Sequence, residues 1–198
     1  MIKSVLPLSL IIALRFFGLF LVLPVISVYA LSLEGATPTL VGIVIGGYAL
    51  TQMLFQIPFG IMSDKFSRKG TIVFGLIIFA IGSLICALST DIYTLIFGRF
   101  LQGAGSIGAV VTAMISDLVK EEQRPKAMAL MGSFIGLAFA LSMIAGPTIG
   151  AFAGVEWLFY ITLFLALISI FLLIKKFPNP PHITHTYNKK SNLSEILL

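Results

Sequence analysis

Charge is scarce in this sequence. Only 11% of its 198 residues are Asp, Glu, Lys or Arg, whereas an ordinary soluble domain carries about a quarter, so a water-facing globular surface cannot be assembled from it. Cysteine is scarcer still: Cys86 stands alone, which excludes an intramolecular disulfide, and its apolar neighbours make it a thiol packed among helices. The two histidines, His182 and His185, both lie near the C-terminus. Their spacing suits a metal only on a helix, and Pro178, Pro180 and Pro181 precede them with no third ligand near, so the stretch reads as loop. Acids are outnumbered eight to thirteen, and none lies in the middle of a long apolar run.

Long apolar runs are what the sequence has in quantity. Hydrophobic residues make up 58% of it and mean hydropathy is +1.06, the balance of an integral membrane protein. Crossing the hydrocarbon core takes about 20 helical residues, and six stretches are long enough: Val5 to Leu31, Pro38 to Met62, Thr71 to Leu88, Ile92 to Val119, Ala127 to Ala153 and Trp157 to Ile174. The first is too long for a signal peptide and lacks an Ala-x-Ala site, and Arg15 interrupts it, so it is expected to stay as a span. Thr37 before Pro38, and Ser89-Thr90-Asp91, supply helix starts. The organisation expected is a six-helix bundle over 1–176 followed by a linker over 177–198.

The cations fix a direction. Arg15 and Arg99 lie inside spans, and the other eleven are Lys3, Lys65, Arg68, Lys69, Lys120, Arg124, Lys126, Lys175, Lys176, Lys189 and Lys190. With six crossings all eleven fall on one side, while the opposite connections carry Glu34, Asp91 and Glu156. The positive-inside rule therefore predicts both termini in the cytoplasm. A basic balance placed this way needs no nucleic acid to explain it, and none is expected as a partner.

Ionisable groups deep in a bilayer are costly and face a bundle interior or a watery cavity. At 1.5 Å per residue, Arg99 falls about 12 Å and Arg15 about 15 Å from the nearer end of its span, both close to the midplane. The bland alternative, snorkelling or capping of carbonyls, suits that depth less well. Arg99, Gln102 and Ser106 form one polar stripe on the fourth span; Tyr48, Gln52 and Gln56 form another on the second, continuing to Gly60. Either stripe can line a polar route or a hydrogen-bonded seam between helices. Gly42 and Gly46, Gly132 and Gly136, and Gly146, Gly150 and Gly154 repeat at steps of four and suit close helix approach. Pro147 adds a missing backbone donor and a possible bend deep in the fifth span.

The stretch Gly60-Ile61-Met62-Ser63-Asp64-Lys65-Phe66-Ser67-Arg68-Lys69-Gly70 is a charged turn between two spans. Asp64 at the end of one helix and Arg68 at the start of the next each face the like-signed end of a helix dipole. Asp117, closing the fourth span, is misplaced in the same way. A bridge from Arg68 to Asp117 is predicted, which leaves Asp64 to seek the N-terminus of a different helix.

These residues resemble the N-terminal six-helix half of a major facilitator superfamily transporter, most closely that superfamily's proton-coupled drug exporters. The turn with Asp64 and Arg68 is similar to the signature loop between helices two and three, except that Ser67 stands where glycine is usual. Arg99-Phe100-Leu101-Gln102-Gly103 resembles the fourth-helix motif linked to proton coupling, and Gly146-Pro147-Thr148-Ile149-Gly150 the fifth-helix motif of antiporters. The resemblance covers essentially the whole chain. It implies an all-α membrane fold of two inverted three-helix repeats, a plasma membrane location in a bacterium, and a conformational lock made of Gly60, Asp64, Lys65, Arg68, Lys69 and Asp117. It further implies coupling or cavity roles for Arg15, Tyr48, Gln52, Gln56, Arg99 and Gln102, and an antiporter-type helix around Gly146, Pro147 and Gly150. No cofactor is implied beyond a proton gradient as driving force. The partners implied are the lipid bilayer, a small molecule and a second six-helix half, supplied in trans or by homodimerisation.

The function expected is proton-coupled efflux of small, drug-like or amphipathic molecules. The alternative is a truncated or non-transporting scaffold, inactive without the second half. An intramembrane serine enzyme, faintly suggested by Ala104-Gly105-Ser106-Ile107-Gly108, fails because no base lies beside Ser106 in any span.

Overall fold

Six helical passages form where the apolar stretches lie, in a computed structural model that describes residues 2–177, with side chains from residue 5 onward. The helices are α1 (Ile2–Val22), α2 (Ile26–Leu31), α3 (Pro38–Lys65), α4 (Arg68–Ala87), α5 (Ile92–Ala104), α6 (Gly108–Leu118), α7 (Arg124–Ala153) and α8 (Val155–Lys176), with a 3-10 turn at Glu121–Gln123. The linker expected beyond the bundle, with His182 and His185, lies past Phe177 and outside the described residues.

Local chemistry sets the ends. The Thr37 hydroxyl accepts from the Leu40 amide ahead of α3, and Asp91 accepts from the Thr94 amide ahead of α5, as N-caps do. The charged turn is tighter than expected, because α3 runs on to Lys65 and α4 begins at Arg68. Only Phe66 and Ser67 lie between them. Ser67 is the N-cap of α4, its hydroxyl 2.9 Å from the Gly70 amide and its backbone extended (φ −163°). A left-handed conformation is not needed there, which explains why serine serves where glycine is usual. Gly154, at φ +98°, makes the turn from α7 to α8 and is no packing glycine.

Two expected spans are each broken. The first divides at Leu23 to Val25, where Pro24 lacks an amide proton, and α2 carries it on. The fourth divides at Gly105 to Ile107, between α5 and α6. Pro147 does not end α7, which is continuous from Arg124 to Ala153.

Packing follows a rule of exchange. α1 lies along α7, α3 along α5 and α4 along α8, with α4 also against α5 and α1 against α8. Replacing each of the first three passages by its counterpart among the last three reproduces this set of pairings, as expected of two interlocked inverted repeats. The apolar core is layered. One cluster joins Val5, Phe59, Ile72, Met114, Ala127 and Leu173 near the cation-bearing ends; another joins Val22, Val41, Ala87, Ile92 and Leu158 near the opposite ends. Between them a thin layer holds Leu19, Tyr48, Phe79, Ala80 and Ala166, and the buried polar groups gather at that level.

Candidate functional site

The middle layer is polar because α1, α3, α4 and α5 send Arg15, Tyr48, Ser83, Arg99 and Gln102 into it. Arg15 of α1 and Arg99 of α5 are each 1% exposed, so both guanidinium groups are out of water. Arg15 donates to the Gly105 carbonyl (3.0 Å) and to the Tyr48 hydroxyl (3.3 Å), with its Cζ 4.9 Å from the Phe79 ring centre. The Gly105 carbonyl is available because α5 ends there, leaving helix carbonyls without intrahelical donors. Arg99 donates to the Gln102 side-chain oxygen (2.8 Å) and the Val44 carbonyl (3.4 Å), and its Cζ stands 4.6 Å over the Tyr48 ring. Gln102 passes the chain on, donating to the Ser83 hydroxyl at 2.8 Å. Tyr48 is thus shared: Arg15 holds its oxygen and Arg99 its face.

Cation–π contacts and carbonyl bonds compensate a buried guanidinium only in part. No carboxylate stands in this layer among the described residues.

Beside Tyr48 lies an open cleft of about 500 Å³, lined by Leu19, Tyr48, Ala49, Gln52, Met53, Gln56 and Ile57. The stripe on α3 therefore does both things open to it. Tyr48 turns into the seam with α1 and α5, while Gln52 and Gln56 face the cleft. Gln56 also accepts from Ser106 (3.0 Å), which ties α3 to the break between α5 and α6. The Gln52 side-chain oxygen is buried without a partner, as is the Arg15 Nε.

The second cluster sits at the cation-bearing ends. Arg68 Nε donates to Asp117 at 3.1 Å, and its NH1 donates to the Ser63 hydroxyl at 2.6 Å and pairs with Asp64. The predicted bridge is present. Within this chain Asp64 also pairs with Arg68, because the two-residue turn sets them four apart within reach. Two acids at helix C-termini thereby share one cation at a helix N-terminus, and each charge finds the partner its own dipole denies it. Gly60 lends its carbonyl to the Ser63 hydroxyl (2.7 Å). Lys65 is exposed and Lys69 half-buried beside them.

On α7 the motif residues differ from one another. A Cβ on Gly146 would run into the Leu21 carbonyl, so this glycine lets α7 touch α1. Gly150 has ordinary room, and Gly42, Gly46, Gly132 and Gly136 have nothing within 4 Å. The close approaches expected of those four are absent among the described residues. They occur instead at glycines outside the four-step pattern, such as Gly103 against the Tyr48 carbonyl and Gly82 against α5. Ser83, Ser63, Phe79 and the Val44 and Gly105 carbonyls escaped the sequence reading. A serine three residues before Cys86 in an apolar span, and paired glycines at 103 and 105, were signals for two of them; a backbone carbonyl gives none.

Known proteins resemble this chain in sequence and in fold. The chain is 47% identical over 186 residues to the inner membrane transport protein YajR of Escherichia coli K12, covering 94% of this chain and 40% of that one. It is 38% identical over 114 residues to a class B tetracycline resistance protein of Escherichia coli, covering 57% of this chain and 27% of the relative. The chain thus spans well under half the length of these curated relatives. A crystal structure of the POT family transporter PepTSo superposes with a TM-score of 0.77 at 16% identity, over 91% of this chain and 40% of that one, a likeness of fold. The profile of the Major Facilitator Superfamily matches residues 8–196, and with six apolar passages and a transporter 47% identical the chain belongs to that superfamily of membrane transporters.

Proposed function

We propose that this chain forms one six-helix half of a secondary active exporter, working by alternating access with a second half. The observation that carries the reading is the pair of buried guanidinium groups meeting on Tyr48 at the edge of an open cleft. A structural scaffold has no use for two uncancelled charges at the midplane. The faces of α3 and α7 support a second half. Only 28% and 17% of these passages are buried, against 56% of the fourth passage, and the open glycines Gly42, Gly46, Gly132 and Gly136 lie on them.

Within this reading the Arg68 cluster locks one conformational state from the cytoplasmic side, with both termini in the cytoplasm of a bacterium. Arg99 serves proton coupling or cavity polarity, and a drug-like amphipathic cargo fits an apolar cleft with few polar groups; a relative named for tetracycline resistance points the same way. The test is transport by proteoliposomes, with and without an inward pH gradient, comparing the 198-residue chain with a version joined to a second six-helix half. Gradient-dependent efflux by the joined protein is expected. Gradient-independent movement in both would reject proton coupling, and no movement in either would reject transport. In the joined protein Arg99→Lys should lower efflux roughly tenfold or more, since a lost hydrogen bond to a charged group is worth ~1.5–3 kcal/mol and an ammonium cannot hold Val44, Gln102 and the Tyr48 ring together.

A further inference from the structure

The buried charge of the middle layer is of one sign. Every Asp and Glu among the described residues lies at a helix end or in a connecting turn, whereas Arg15 and Arg99 sit inside with neutral partners only. Carbonyls and ring faces satisfy the guanidinium hydrogens but leave the charge uncancelled. In a water-poor layer such a charge is felt over a long distance.

Tyr48 carries that field to the cleft. Its hydroxyl oxygen accepts from Arg15 and its ring lies under Arg99, and the residue is also one of those that line the cleft. With its oxygen held by a cation, the hydroxyl has its own proton left to give, and a polarised donor prefers an anionic acceptor. Gln52 adds a buried amide whose oxygen position lacks a partner; rotated by half a turn, the amide presents N–H there instead. We propose that the cleft recognises an amphipathic organic anion, its carboxylate or sulfonate accepting from Tyr48 and Gln52 while its apolar body rests on Leu19, Met53 and Ile57. This assignment rests on the transport reading above and narrows its cargo. A cation of the same shape meets two like charges there and no acid.

The test uses the 198-residue chain in phosphatidylcholine nanodiscs and two dyes of one aromatic body. One is 8-anilino-1-naphthalenesulfonate; the other is N-phenyl-1-naphthylamine, which lacks the sulfonate. After correction for empty nanodiscs, the sulfonate should bind about tenfold or more tighter, and Tyr48→Phe, which keeps the ring over Arg99, should erase most of that preference. Equal binding, or a preference that survives Tyr48→Phe, overturns the anionic assignment while the transport reading stands. Failure of both dyes to bind overturns the cleft as a cargo site altogether. The two-dye comparison on the unaltered chain decides the sign of the charge even if the variant does not fold.

Discussion

Arg68 shows how much one side chain can hold. Its Nε reaches Asp117 on α6 while its NH1 reaches Ser63 and Asp64 on α3, so three passages meet on it. Its side chain is 18% exposed and that of Asp117 24%, which keeps solvent screening modest. A double-mutant cycle of Arg68→Ala and Asp117→Ala, read by denaturant titration in detergent, should give a coupling of roughly 0.5–3 kcal/mol; strict additivity would deny the bridge. Exchanging the two charges is a weaker test, because an aspartate at 68 would then face Asp64. Asp91 makes a pH prediction. Its carboxylate accepts from the Thr94 hydroxyl (2.6 Å) and amide (2.9 Å), and these bonds, the hydroxyl's foremost, hold its pKa below the usual carboxylate value. A depressed folded value means the stabilisation is present above the ordinary pKa and is lost as pH falls through the folded one. The stability difference between the native chain and Asp91→Asn should therefore change below about pH 4 and be flat above it; a pH-independent difference would contradict the bonds.

Helices here are told apart by their glycines. Gly146 brings α7 against the Leu21 carbonyl of α1, whereas Gly132 on the same helix has open space. Gly146→Ala should lower the melting temperature of the chain markedly, through forced separation of the two helices, while Gly132→Ala should leave it unchanged or raise it slightly. Equal losses would mean that both glycines are packed. The sequence could not tell them apart, because a four-residue step reports which face a glycine is on and not whether anything stands opposite. Pro24 and the pair Gly103 and Gly105 did advertise the breaks in the first and fourth passages, yet continuous hydropathy hid them. Hydropathy measures compatibility with lipid, and a short non-helical stretch covered by protein is as compatible as a helix.

Across the whole molecule the layering was the most legible property. Spans separate by length, and the ionisable residues sort into two faces and a middle from spacing alone. What spacing could not supply was the convergence of Arg15 and Arg99 on one tyrosine, which depends on α1, α3 and α5 meeting at one level. Their contacts come from packing and not from any local pattern. The orientation has a direct check, because Cys86, the only cysteine, is fully buried and should be silent to labels. Phe66→Cys, at the exposed turn, should resist an impermeant maleimide in intact cells and react after permeabilisation; Tyr93→Cys, exposed near the opposite ends, should react in intact cells. The reverse pattern would invert the molecule.

The crossing of the two repeats has a consequence for biogenesis. A ribosome delivers the passages one at a time, but α1 finds its long neighbour in α7, which emerges fifth. Until then the nascent protein sits in the bilayer with a naked Leu21 carbonyl, and its Arg15 waits for the chain to reach Gly105. Every unfinished copy therefore leaves that seam open inside the bilayer, and it closes when Gly146 meets Leu21.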